Sequence, residues 1–205
     1  MLDLIQRQLE AIYKTRAPDV QAFLLDEEAV DAVLGGEARP ADEWVLVRQE
    51  GEEVDVGVYV ASRHLQALAT ADSLAGAVDC CFQAFCAAVE GVSHFLMLVE
   101  RARRDEPVSL LELETQAEVD KYLCASLHHP TREPQLRSRL FREAALAPGL
   151  SPDETERYAE AARLAEAWCE HLDRLPHVQA VLDRQRAFWR RSGSLRLEEM
   201  RRLAA

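Results

Sequence analysis

The chain has 205 residues, 48% hydrophobic and 29% charged, so it can bury a core without disulfides or a structural metal, and wholesale disorder is excluded. A net charge of −12 repels phosphate polyanions and argues against nucleic acid as a partner. The most apolar run, Leu74 to Val99, contains Asp79, Gln83, Glu90 and His94, so no membrane span is expected, and residues 1–13 are amphipathic rather than a leader.

In chain order, Leu2, Ile5, Leu9, Ile12 and Tyr13 recur at helical spacing and predict a first helix. Asp26 caps a short helix through Leu34 that Gly35-Gly36 ends, and 37–42 is a polar loop with Pro40. Trp44 to Arg48 and Val54 to Val60, with Glu50-Gly51 between them, predict a β-hairpin at about 43–61. A lone hairpin is marginal in water, so it packs on the helices or gains another strand. After a helical piece at Arg63 to Ala69, one long central helix is expected from Leu74 to Arg103. Pro107 breaks the chain, Ser109 and Glu112 form a capping box for a helix to Leu127, and His129-Pro130 stops it. A further helix is expected from Pro134 to Leu146, stopped by Pro148-Gly149.

Ser151-Pro152-Asp153-Glu154 is the clearest helix start and opens 152–175, with Tyr158, Ala161, Ala165, Trp168 and Leu172 on one face. Pro176 separates this from a helix at 177–191, and 193–205 is a basic C-terminal tail beyond a Ser192-Gly193 hinge. The expected fold class is therefore α+β and mainly helical: a single domain over 1–192, with about five to seven helices and an N-terminal β-hairpin packed on them.

No phosphate-binding glycine loop, HExxH or GxSxG motif is present, and no cofactor is implied. Cys80, Cys81, Cys86, Cys124 and Cys169 lack zinc-ligand spacing and are read as reduced thiols of a cytoplasmic protein. On the central helix, Asp79, Gln83, Glu90, His94 and Arg101 share one narrow stripe. On the next helix Asp120 falls on the apolar seam of Leu113, Ala117 and Cys124, whereas Glu114 and Glu118 mark a face that looks solvated. Counting outward from the break near residue 106, His94 and Asp120 lie within about 3 Å of the same level. A buried His94–Asp120 pair with Glu90 one turn away is therefore expected.

Two function classes follow. The first is a non-catalytic interaction or regulatory module, adaptor- or immunity-like, that binds another protein or a second copy. It would use its acidic body and the basic end carrying Arg184, Arg190, Arg191, Arg201 and Arg202. The alternative is a metal-dependent or general-base enzyme built on Glu90, His94 and Asp120.

Overall fold

The computed structural model describes residues 1–35, 41–51, 53–144 and 149–205. Among them are ten α-helices, more than the sequence suggested, and a small three-stranded sheet. The helices are α1 (Leu2–Tyr13), α2 (Glu27–Leu34), α3 (Ser62–Ala69), α4 (Leu74–Cys80), α5 (Phe82–Arg103), α6 (Leu110–Ser126), α7 (Glu133–Arg137), α8 (Pro152–Asp173), α9 (Val178–Trp189) and α10 (Gly193–Leu203).

The sheet is β1 (Leu24–Leu25), β2 (Glu43–Glu50) and β3 (Glu53–Val60), in the order β1-β3-β2. The hairpin β2–β3 runs in register from Glu43↔Val60 to Glu50↔Glu53, and Gly51 in its turn takes the left-handed conformation (φ 65°). β1 adds a parallel partner, Leu24↔Val58 and Leu25↔Tyr59. Gly57 makes this approach possible: a Cβ there would stand 2.5 Å from Leu25 Cδ1.

The strand alternation of β3 resolves along its length. Val58 and Val60 are buried against α5, while Val54 is exposed near the turn. Gly91 of α5 lets helix and sheet meet, since a Cβ there would lie 3.3 Å from Val58 Cγ1. α5 runs through the middle of the core with Phe85, Val89, Val92 and Phe95 fully buried, between α1, α3, the sheet and α6. α6 in turn packs along α8, whose Leu164, Ala165 and Trp168 are buried, and α9 and α10 close over α1 and α8.

The helix starts follow the sequence closely. Ser109 and Ser151 each form a complete capping box with the glutamate three residues on, and Asp26 and Ser73 cap α2 and α4. Two elements differ. The expected long central helix is two, α4 and α5, divided at Cys81 (φ −143°, ψ 51°). Neither glycine nor proline marks the break, so periodicity does not see it. Turning there lets α4 bury Leu74, Ala77 and Val78 while Asp79 reaches Arg132 Nη1 at 2.6 Å. The helix expected from Pro134 is α7 followed by a π-helical turn, Ser138–Arg142. Gly36, the loop at 37–40 and the stop around Leu146 to Pro148 lie outside the described residues.

The basic C-terminal segment is a docked helix. Met200 and Arg196 of α10 are buried, and Arg101 of α5 donates to the Arg191 carbonyl at 3.1 Å just before it. Among the described residues one helix, α5, is long and apolar enough to cross a membrane; most of its apolar window is buried, as in the core helix of a soluble protein.

Candidate functional site

Two polar clusters lie on different sides of the α5–α6 contact, and they separate the residues expected to meet. Ser93 and His94 are consecutive on α5, so their side chains diverge by about 100°. Ser93 turns towards Asp120, donating to Oδ2 at 2.6 Å. Asp120 Oδ1 accepts from the Tyr13 hydroxyl of α1 and from Gln116 Nε2 at 2.9 Å. Tyr13 Oη also accepts from Gln185 Nε2 at 3.0 Å, Trp168 Nε1 donates to Gln185 Oε1 at 2.7 Å, and Arg196 donates to Gln116 Oε1. This network ties α1, α5, α6, α8, α9 and α10 together. Burial pushes the Asp120 carboxyl up to about 6, with its three donors and Arg196 opposing.

His94 faces the other way and does not join Asp120. Its Nδ1 stands 3.7 Å from Glu43 Oε2 at the start of β2, and its Nε2 stands 3.7 Å from Glu114 Oε2 on α6. Glu90, one turn back on α5, is 2.8 Å from Lys121 Nζ, which also donates to Glu118 Oε1 at 2.8 Å. Arg157 of α8 approaches Glu114 Oε1 at 3.8 Å. The expected partnership is thus corrected: Glu90 and His94 are together, and Glu114 takes the place foreseen for Asp120. The Glu114–Glu118 face of α6 is not a free solvated face, because β2 and α8 cover it; the Glu114 side chain is 9% exposed and that of His94 8%. The spacing Glu114, Glu118, Lys121 (i, i+4, i+7) opposite Glu90 and His94 (i, i+4) was the available signal, but Glu43 and Arg157 arrive from distant segments.

Four carboxylates therefore converge on one imidazole, one ammonium and one guanidinium. Burial works against a charged His94, but the adjacent Glu43 carboxylate, with the charges of Glu114 and Glu90, raises it to about 9. Burial raises Glu114 to about 7, and the charges of Glu90 and Glu43 add to this while His94 opposes it. Burial likewise raises Glu43 and Glu118, whereas Lys121 and His94 outweigh burial at Glu90 and lower it. Three buried polar atoms here have no hydrogen-bond partner: Glu43 Oε2, His94 Nε2 and Arg157 Nε.

Glu90, His94 and Glu114 each offer one ligand atom, all within 4.8 Å of one another. Ligands on a first-row divalent ion at about 2.0–2.2 Å stand roughly 3.0–3.5 Å apart, so a small contraction forms the set. Glu43 at the far side of the ring is placed to hold Nδ1–H, so that a cation displacing the Nε2 proton would meet that nitrogen on the Glu114 side, the usual arrangement of a carboxylate behind a ligating histidine.

The arginines foreseen as a binding end are mostly engaged within the chain. Arg184 and Arg191 both pair with Glu199, Arg202 Nη2 lies 3.4 Å from Glu198, and Arg201 Nε lies 3.8 Å from Glu160. Arg190 is exposed and has no ion pair among the described residues. Compared with known proteins, the chain matches no family model, no curated protein and no solved structure.

Proposed function

We propose that the chain is a metal-dependent protein, most simply a Lewis-acid catalyst, in which Glu90, His94 and Glu114 hold one divalent cation. The observation that carries this reading is the convergence of Glu90, Glu114 and the buried His94 Nε2, which has no hydrogen-bond partner, amid an excess of carboxylates. A buried group with more carboxylates than cations is relieved by a further cation, which would displace the His94 proton. A donor set of one imidazole and two carboxylates suits zinc, manganese or iron and leaves coordination positions open for water and substrate. The bound ion would supply an acidified water or a polarised carbonyl or phosphoryl group. Glu43 would orient His94, and Lys121 would hold Glu90 in place beside it while also binding Glu118.

Metal analysis of purified protein reloaded with zinc, manganese or ferrous ion tests the reading. About one equivalent should be retained. It should be lost in His94→Ala and Glu114→Gln but kept in Asp120→Asn. No retention with any of the three ions, or equal retention in the His94 variant, overturns it.

The interaction-module reading draws less support, because four of its five arginines face internal carboxylates. Its remaining handle is Arg190. The free cysteines suit a reducing compartment, and we place the protein in the cytoplasm.

A further inference from the structure

The one break in the central helical run falls at Cys81, the second of two adjacent cysteines. In a regular helix neighbouring side chains diverge by about 100°, which keeps their ends apart. Here Cys81 leaves the helical region, ending α4 and beginning α5, and Cys80 Sγ and Cys81 Sγ stand 3.2 Å apart. No glycine or proline requires a turn at this point. Cys80 is exposed and Cys81 half-buried, so the pair is open to small reagents. Cys86 is half-buried, like Cys81, whereas Cys124 and Cys169 are fully buried.

We propose that Cys80 and Cys81 form a redox modification site that closes to a cyclic disulfide when a low-molecular-weight disulfide oxidises it. The Cys80 thiolate attacks one sulfur of the oxidant, here glutathione disulfide, and expels one glutathione thiolate. Cys81 then gives up its proton and attacks Cys80 Sγ, expelling the second. The two protein thiols are oxidised by two electrons and the oxidant is reduced to two glutathione thiols. Cys80 is the more exposed of the two, which makes it the entering thiol and Cys81 the resolving one, and burial pushes the Cys81 thiol up.

The ring is strained. Adjacent Cα atoms are about 3.8 Å apart, whereas disulfide-linked Cα atoms usually lie about 4.4–6.8 Å apart. Strained, exposed disulfides are easily reduced, so this one would open again once the oxidant is removed. Closure would fix the torsions of the α4–α5 joint. The site is independent of the metal reading.

The test uses full-length Cys86→Ser protein, which removes the other partly exposed thiol, equilibrated with glutathione disulfide in excess and read by intact mass and peptide sequencing. The folded protein should lose about 2 Da within the 80–81 pair, carry no adduct, and return to the dithiol with reductant. Replacing Cys81 by serine as well should leave a stable glutathione adduct on Cys80. Ring formation should be favoured at least about tenfold in the folded chain over the same chain in urea. A persistent adduct on Cys80 with Cys81 present, a Cys80-linked dimer, two unreacted thiols, or equal closure in urea would each overturn the proposal.

Discussion

Asp120→Asn isolates the cost of a carboxyl group in the dry interior. Asp120 is 1% exposed and is surrounded by Tyr13, Ser93 and Gln116, so asparagine keeps the shape and one acceptor oxygen. Its carboxyl moves from an ordinary 3.8 to about 6, because burial penalises the charged form more than the donors reward it. An acid whose folded value is raised binds its proton more tightly when folded. Its contribution is therefore greatest below pH 4, declines as pH rises through the interval from about 4 to 6, and is constant above. At about 1.36 kcal/mol per tenfold change in proton affinity, this amounts to about 3 kcal/mol. Urea unfolding of both proteins from pH 4 to 7 at constant ionic strength gives the difference directly, and other titrating groups largely cancel. Part of this is already lost at pH 4, so the variant should gain roughly 2–2.5 kcal/mol on the wild type between pH 4 and 7. A difference that does not vary with pH would refute the assignment of burial as the dominant effect at this carboxyl.

Two further substitutions probe the same architecture. A Cβ on Gly193 would fall 1.6 Å from Glu112 Oε1, so Gly193→Ala should dislodge the glutamate from its capping box and cost about 1–2 kcal/mol in urea unfolding. That cost should vanish in a Glu112→Ala background, and its persistence there would show that the clash is with backbone. Trp168→Phe strands the Gln185 oxygen in the core and leaves a void where the larger indole stacked 3.9 Å from Phe188, so the variant should be destabilised by about 2–4 kcal/mol. A loss under about 0.5 kcal/mol would mean that the network is not holding α8 to α9.

Chain-local signals were enough for most of the helices and for the hairpin. Ser109 with Glu112 and Ser151 with Glu154 announce α6 and α8 because a cap is satisfied within one turn, and alternation along β3 needs no distant partner to be read. The break at Cys81 was illegible, since its cause is the packing of Leu74, Ala77 and Val78 rather than a residue that forbids helix.

The candidate site divides in the same way. The sequence by itself determined that Glu90 and His94 share one face of a helix and that Asp120 is a carboxyl on a buried seam, because helical periodicity fixes direction about a single axis. Only the tertiary structure decided which neighbour each face meets. Tyr13 and the C-terminal helices took Asp120, while β2 and α8 brought Glu43 and Arg157 over His94 and Glu114 and turned an apparently wet face into a buried charged cluster. Rotation about the axis of each helix, and the elements laid over it, depend on burying area from the whole chain at once, and no local spacing encodes that choice.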